Sequence, residues 1–402
     1  MQCAIDLGHK PERDGMCDTK YQRWHASLHD ADGEHIKSSI VALKPALDGA
    51  LLMFVGDSLC QQQYLDLVCS LSRKYQQSII AIPPVPGLKA RYLTRISSTS
   101  SDALHTWLAY VEVSQPSQQL NATIAAAESV LALVSSGRNA SGMRSPRVNV
   151  IHMCSIKAHS LQGRGYTERT PAAYFKDLVQ LAQELDHVLQ WRIFFYRPGP
   201  ATHFATAEAG FMPAVAAAPE ACRPIAANVS AQKGWFIQEE AALAENFAAL
   251  SAKSGGRPTR RLSEWKLVRA IPNVWRLSVG AWTQHPGLIH ALNNHGDPNP
   301  YKVITDCLHF CIVGDGQVGI YEAFNRLFWW QLLQDLHAHG APRSQSLGEA
   351  KEKAHTQSID EAESKALKAL DAEFQKRRKS IQASFEQQRL SLSVETESSL
   401  VK

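Results

Sequence analysis

The sequence predicts an α/β protein built on a central parallel sheet, and three observations support this fold class. Several short runs are apolar at every position, which is typical of strands buried on both faces of a sheet. Segments with apolar residues at helical spacing lie between these runs, and such alternation favours parallel strands joined by crossover helices. Finally, 45% of the 402 residues are hydrophobic, while only 23 are glycine and 19 are proline. This composition excludes a wholly disordered or collagen-like chain.

The individual elements follow in chain order from these two patterns. The first strand ends at Gly56, and a one-sided helix comes directly after it. Strands are predicted at 51–55, 148–153 and 191–196. Helices are predicted at 61–74, 171–189, 237–252 and 320–337.

Composition also divides the chain into three parts. Residues 1–45 are polar without a clear period, and we expect an irregular lead-in held down by Cys3 or Cys17. Residues 46–343 contain the apolar runs and form the α/β domain. Residues 344–402 are rich in alternating charge and predict a helical tail. Its heptad positions turn polar after one turn, so a solvated helix is expected, with weak self-association through the tail as the alternative.

The charge balance excludes some partners. There are 42 Lys and Arg against 38 Asp and Glu, a net charge of +4. This charge is too dilute to indicate a nucleic acid or an anionic membrane as the partner. No apolar run is long enough to span a bilayer, and residues 1–20 lack the apolar core of a signal peptide. A targeting segment is therefore not visible in the chain as given.

The most informative tripeptide is Gly56-Asp57-Ser58, between the first strand and its helix. Ligands of open α/β sheets bind at the carboxyl ends of the strands, where Ser58 would be exposed. The helix would direct N–H groups and the positive end of its dipole at an oxyanion formed when Ser58 attacks an ester. Gly56 would permit a tight turn and close substrate approach. The alternative is that Asp57 or Ser58 only caps the helix.

A nucleophilic serine needs a base and an orienting acid. The spacing Asp-x-x-His occurs four times and therefore does not by itself identify the catalytic pair. It begins at Asp6, Asp32, Asp102 and Asp306. Context favours Asp306 and His309, which follow the remaining sheet elements in a segment where Cys307 and Cys311 could clamp the loop. The alternatives are a surface turn and a zinc site, and zinc is disfavoured because no second cysteine pair has ligand spacing. No metal and no cofactor are expected.

Three blocks resemble a known family. Residues 52–64, with Leu67-Val68-Cys69, resemble the first block of the plant trichome-birefringence-like proteins and the related PC-esterase and Cas1-type domains. Residues 306–311 resemble their C-terminal Asp-Cys-x-His block, and 196–204 with Cys222 resemble a middle block. The resemblance implies a three-layer SGNH-hydrolase-like fold. It also implies transfer of acetyl groups to, or their removal from, polysaccharide hydroxyls in the Golgi or outside the cell.

The resemblance also assigns roles. Ser58 would be the acyl-accepting nucleophile, His309 the general base and acid, and Asp306 the residue that holds the imidazole ring. Cys222 and Cys307 match family cysteines that bridge, and Cys69 and Cys311 match two that pair with N-terminal cysteines, for which Cys3 and Cys17 are available. The partners would be an acetyl donor and a glycan acceptor.

The sequence departs from the family pattern near the expected oxyanion. Gln61-Gln62 stand where plant members usually have Arg-Asn, and 155–159 retain only His159 of an Asn-x-Gly-x-His block. One oxyanion donor is commonly worth about 2.7–4 kcal/mol, so these losses matter. Gly56, Asp57, Gln61, Ser155 and His159 are the expected oxyanion and substrate residues, with a packed position as the alternative for His159.

The motifs predict a serine nucleophile, and the resemblance implies an O-acetyltransferase acting on polysaccharides. An acetyl or carbohydrate esterase of the same fold begins with the same attack on the acyl group and is the first alternative. The second alternative is a non-catalytic glycan-binding protein, which is favoured by the loss of the family's expected oxyanion donors. A third alternative, a cytosolic lipase-like esterase, follows from the absence of a visible leader. Three glycosylation sequons and the dispersed cysteines favour the secretory pathway. They begin at Asn121, Asn139 and Asn228.

Overall fold

The computed structural model describes most of the α/β region of the chain. Described are residues 47, 49–72, 74–97, 105–114, 116, 118–139, 148–155, 171–203, 222–225, 267–271, 274–279, 287–292, 301–306 and 320–338. The chain divides into two units, Met1–Pro342 and Arg343–Lys402, and every described residue belongs to the first. The predicted lead-in 1–45, the helix at 237–252 and the tail 344–402 lie outside the described residues.

A seven-stranded sheet forms the centre of the described region, with the strand order β2-β3-β4-β1-β5-β6-β7. Its strands are β1 (Leu51–Gly56), β2 (Gln76–Ile80), β3 (Arg91–Ser97), β4 (Thr106–Glu112), β5 (Asn149–Cys154), β6 (Ile193–Arg197) and β7 (Leu267–Ala270). A separate antiparallel pair consists of β8 (Gly287–Leu292) and β9 (Tyr301–Asp306).

The larger sheet is mixed, and its parallel part has a doubly wound order. Strands β4, β1, β5, β6 and β7 are mutually parallel. Numbered by their occurrence in the chain, these five run in the order 2-1-3-4-5, which is a common doubly wound arrangement. The prediction of a parallel sheet is correct for these five strands, but it did not include the antiparallel strands at one side of the sheet. There β3 runs antiparallel to both β2 and β4, and residues 81–90 reverse the chain between β2 and β3.

Helices cover both faces of the sheet. They are α1 (Ser58–Ser72), α2 (Leu120–Asn139), α3 (Pro171–Leu189), α4 (Val274–Val279) and α5 (Ile320–Ala338). One core contains Leu52 and Phe54 of β1 with α1 and α5, and the other contains Met53 with α2 and α3. Alternate residues of one strand thus point into two cores, which gives three layers and explains why the strand is apolar throughout. None of the described helices is both long and apolar enough to cross a membrane.

The predicted elements at β1, β5, β6, α3 and α5 are confirmed. Helix α1 begins at Ser58 and not at Gln61, because the cap that starts it is Asp57. Helix α3 begins at Pro171, where a missing N–H costs nothing, and it ends before Gln190, whose φ of 47° lies in the left-handed region that terminates helices.

Candidate active site

The turn that carries Ser58 lies at a topological switch point of the sheet. Strands β1 and β5 are parallel neighbours, with Val55 opposite Met153, so both end at the same edge. The helix after β1 packs on one face of the sheet and the helix after β5 packs on the other. In doubly wound proteins, ligands bind beyond the carboxyl ends of two such strands, where helices on opposite faces diverge.

Asp57 caps the helix that begins at the predicted nucleophile. Its side-chain Oδ1 accepts a hydrogen bond from Leu59 N at 3.0 Å, and its carbonyl oxygen accepts from Cys60 N and Gln61 N, each at 3.0 Å. Asp57 is buried, at 1% exposure, whereas Ser58 is partly exposed. The capping alternative therefore describes Asp57. Ser58 is the first residue of the helix, at the positive end of its dipole.

A disulfide between Cys60 and Cys154 crosses the switch point. It joins the first turn of α1 to the last residue of β5, with the two Cα atoms 5.7 Å apart. A Cβ atom on Gly56 would lie 2.9 Å from the Cβ of Cys60 and 3.0 Å from that of Cys154, closer than packed carbons come. The space next to Gly56 is therefore filled by the disulfide, and only glycine fits there.

Tyr110 supports the same turn from the other side. It lies on β4, and its single O–H proton is shared between the carbonyl oxygens of Asp57 at 3.0 Å and Gly56 at 3.2 Å, as a bifurcated hydrogen bond. Burial raises the pKa of Tyr110 well above its ordinary value, and the nearby carboxylates of Glu112 and Asp57 act in the same direction. The hydroxyl therefore keeps its proton and remains a donor at any physiological pH.

The two glutamines that stand where the resemblance implies an Arg-Asn pair each form a side-chain hydrogen bond within the protein. Gln61 is partly exposed, and its Nε2 donates to the Tyr92 hydroxyl at 3.0 Å. Gln62 is buried, and its Oε1 accepts from the hydroxyl of Tyr321 at the start of α5. The positive charge that the resemblance would place here is absent from both positions.

Ser155 lies directly after β5, next to the disulfide. It is buried, and its backbone N–H donates to the Arg197 carbonyl oxygen on β6 at 2.8 Å. Arg197 itself is fully buried, and its guanidinium lies over the ring of Phe324, 5.4 Å from the ring centroid. A cation over an aromatic face is an attractive arrangement, so α5 contributes to holding this charge beneath the edge of the sheet.

The structure thus brings together five predicted site residues near the carboxyl ends of β1 and β5. These are Gly56, Asp57, Ser58, Gln61 and Ser155. Asp306 is the last residue of β9, where it pairs with Gly287, and its side chain lies outside the described part of the chain. Several other predicted site and disulfide residues also lie outside it. These are His309, His159, Cys3, Cys17, Cys307 and Cys311.

Disulfide bonding of Cys69 and Cys222 was predicted from the sequence, but the cysteine pair that the structure describes was not. Cys69 and Cys222 are each disulfide-bonded, and the described part of the chain contains no free cysteine. The bond between Cys60 and Cys154 was not predicted, because spacing in sequence does not determine connectivity. Tyr110 was missed as well. Its strand contains a continuous apolar run at Trp107–Val111, which is typical of a buried strand and could have been recognised in the sequence.

No protein-family model matches the chain, and no curated protein matches it significantly. The resemblance stated from the sequence blocks therefore stays a prediction. Among the described residues, no group of three or more His, Cys, Asp or Glu side chains is arranged to hold a metal ion.

Proposed function

We propose that the protein is a serine-dependent O-acyltransferase that moves an acetyl group onto a polysaccharide hydroxyl, with Ser58 as the nucleophile. The observation that carries the proposal is the position of Ser58. It is a partly exposed hydroxyl on the first residue of a helix, directly after a parallel strand and at the topological switch point. The positive end of the helix dipole favours the oxyanion that forms when a hydroxyl attacks an ester.

The proposed reaction has two half-reactions, acylation of Ser58 and transfer of the acetyl group to the glycan. The proposed base in both is His309, and Asp306 orients its imidazole ring. The Ser58 oxygen attacks the donor's acetyl carbonyl, while the imidazole takes the serine proton. Collapse of the tetrahedral intermediate expels the donor oxygen, which receives that proton, and leaves acetyl-Ser58. A glycan hydroxyl then gives its proton to the imidazole and attacks the acyl-enzyme, and the proton returns to Ser58 as the acetylated glycan leaves.

The connection between β9 and α5 supports the choice of base. Asp306 ends β9, and His309 belongs to the segment 307–319 that joins this strand to α5. At the start of α5, the Tyr321 hydroxyl donates to Gln62, one helical turn after Ser58 on α1. The helix that follows His309 in the chain is therefore bonded to the helix that begins at Ser58.

Two observations favour a second candidate, a non-catalytic glycan-binding protein. Gln61 and Gln62 bring no charge, and their side-chain amides are bonded to Tyr92 and Tyr321. A serine-reactive fluorophosphonate separates the two candidates, because only an activated hydroxyl is labelled. An unlabelled Ser58 in the wild-type protein would support the non-catalytic candidate.

Replacing Ser58 by alanine tests the proposal directly. Purified protein is assayed with an acetyl donor plus an oligosaccharide, and separately with a chromogenic acetyl ester in water. We expect Ser58→Ala to lower acetyl transfer by about a thousandfold or more, since the covalent step is lost. The fold should persist because Asp57, the cap, is unchanged.

The matched control is Ser72→Ala, at the other end of α1, where the serine hydroxyl donates to the Cys69 carbonyl of the same helix at 2.8 Å. This variant should label and turn over like the wild type. Equal activity of Ser58→Ala and wild type on both substrates would contradict the proposed triad. Hydrolysis of the ester without transfer to the oligosaccharide would identify an esterase instead.

The disulfides support a proposal about location. Cys60, Cys154, Cys69 and Cys222 are all disulfide-bonded, and such bonds persist in oxidising compartments. We therefore propose the secretory pathway as the place of action. Counting free thiols on the native protein tests this, and eight reactive cysteines would contradict it.

A further inference from the structure

The carbonyl groups of Gly56 and Asp57, just before Ser58, each accept two or more hydrogen bonds. The Gly56 carbonyl accepts from Val113 N at 2.8 Å and from the Tyr110 hydroxyl at 3.2 Å. The Asp57 carbonyl accepts from two amides of the helix and from the same hydroxyl at 3.0 Å. One side chain on β4 thus connects both peptide groups of the turn to a neighbouring strand.

The turn is held from its other side by a covalent bond. The disulfide from Cys60 to Cys154 ties the first turn of α1 to β5. Tyr110 acts from β4 and the disulfide acts from β5, and β1 lies between these two strands. The predicted nucleophile is therefore carried by a backbone that is fixed from both neighbouring strands of the sheet.

We propose that Tyr110 is a positioning residue for Ser58. The Tyr110 hydroxyl acts on Ser58 by holding the Gly56 and Asp57 carbonyls. This inference rests on the proposed function and adds a residue to it. A reacting group displaced by about 1 Å can lose on the order of a hundredfold in rate. A hydroxyl that fixes two consecutive peptide groups therefore has a direct route to the rate of acylation.

Burial makes this hydroxyl hard to replace. Tyr110 is fully buried, so water cannot readily take over its two bonds. Its ring also packs in a group of tyrosines, with centroids 5.8 Å from Tyr64 and 5.9 Å from Tyr92. Tyr110→Phe retains the ring in this group and removes only the donor to the turn.

Tyr64 offers a matched control. It is also fully buried and belongs to the same group of rings, but its hydroxyl bonds to Thr94 Oγ1 at 2.7 Å and to the Leu108 carbonyl at 3.4 Å. Neither partner belongs to the turn that carries Ser58. Tyr64→Phe therefore removes an equally buried hydroxyl from the same group without touching the turn.

The experiment compares these variants by the rate at which a fluorophosphonate labels Ser58, with the site assigned by mass spectrometry. We expect Tyr110→Phe to label about tenfold to a hundredfold more slowly than wild type, and Tyr64→Phe to label at the wild-type rate. With a chromogenic acetyl ester, Tyr110→Phe should lower kcat and leave KM unchanged. Equal labelling rates for the two variants, or a change in KM alone, would overturn the inference.

Amide hydrogen exchange provides a readout that does not need activity. Tyr110→Phe should speed exchange at Cys60 and Gln61, whose N–H groups bond to the Asp57 carbonyl, and Tyr64→Phe should not. Unchanged exchange in Tyr110→Phe would overturn the claim that the hydroxyl holds the turn. An unlabelled wild-type protein would contradict the proposed function separately, since the exchange comparison remains valid without catalysis.

Discussion

His152 shows how strongly a single buried side chain depends on its surroundings. It lies on β5, fully buried, with its ring centroid 4.6 Å from that of Phe54 and 4.5 Å from that of Phe328. Its Nε2 lies 3.2 Å from Oε1 of Gln63, an atom that can only accept, so Nε2 carries the proton. Burial lowers the pKa of His152 well below 6.5, and the positive charge of Arg197 lowers it further.

This lowered pKa predicts a pH-dependent stability. In the unfolded chain His152 takes up a proton below about pH 6.5, whereas in the folded protein it stays neutral. The contribution of His152 to the free energy of unfolding is therefore fully present above this pH. It falls as the pH decreases, by at most about 1.4 kcal/mol per pH unit. His152→Gln should lose less stability between pH 7.5 and 5.5 than the wild type, as measured by denaturant unfolding at each pH.

The matched control is His187→Gln, which removes an exposed histidine from the last turn of α3 without altering the core. The comparison is the difference in unfolding free energy between wild type and variant at each pH. If that difference for His152→Gln is the same at pH 7.5 and 5.5, the histidine does not contribute as stated.

At the scale of elements, α1 and α5 are joined by a buried polar network as well as by apolar contacts. The Asn325 amide nitrogen donates to the Gln63 carbonyl at 3.1 Å and to Asp66 at 3.0 Å, and its oxygen accepts from Gln63 Nε2 at 3.1 Å. Buried polar groups with fixed partners allow one relative placement of two helices, whereas apolar surfaces allow several. The network thus fixes α5 beside the helix that begins at Ser58.

Replacing Asn325 tests this network. Asn325→Leu removes all of these hydrogen bonds at once and leaves buried polar groups of α1 with fewer partners. We expect the free energy of unfolding to fall by about 2–3 kcal/mol, since an unsatisfied buried group costs about 1–3 kcal/mol. Urea or guanidinium unfolding gives the value.

Arg326→Ala provides the comparison on the same helix. It removes an ion pair with Glu322, one turn away, where the closest atoms are 2.7 Å apart. Such pairs within a helix stabilise by only about 0.3–0.5 kcal/mol, so this variant should lose much less. A loss for Asn325→Leu no larger than that for Arg326→Ala would show that the network contributes little.

At the scale of the whole molecule, the Cys60–Cys154 disulfide connects parts of the chain that are 94 residues apart. Strands β2, β3 and β4 and helix α2 all lie between them in the chain. A cross-link over such a long loop restricts the unfolded chain strongly, and the effect is of the order of 4–5 kcal/mol in the chain-entropy model. The bond therefore acts on the stability of the fold as well as on the candidate site.

The double variant Cys60→Ala/Cys154→Ala should accordingly unfold with a free energy up to about 4–5 kcal/mol below that of the wild type. Each single variant should lose about as much as the double variant, because both changes remove the same bond. Thermal and denaturant unfolding without reductant measure this. Additive losses in the two single variants would contradict a shared cross-link.

The sequence by itself determined the fold class and much of the core, because strands buried on both faces must be apolar throughout. Leu51–Gly56, Asn149–Cys154 and Ile193–Arg197 could be recognised in this way. Strand β3 was not recognised because it packs one face more than the other, so Arg91–Ser97 mixes buried and partly exposed residues. The motif Gly56-Asp57-Ser58 was also visible, since a polar turn after a buried strand stands out in composition.

Only the tertiary structure decided what surrounds that motif. Strand order places β4 and β5 on either side of β1, and this brings Tyr110 and Cys154 to a turn that is far from both in the chain. Neither residue has a local pattern that reveals such a role, because hydrogen bonds and disulfides between strands depend on how the sheet is assembled. For the same reason Gly56 suggested room for a substrate in the sequence, whereas in the structure it makes room for a disulfide.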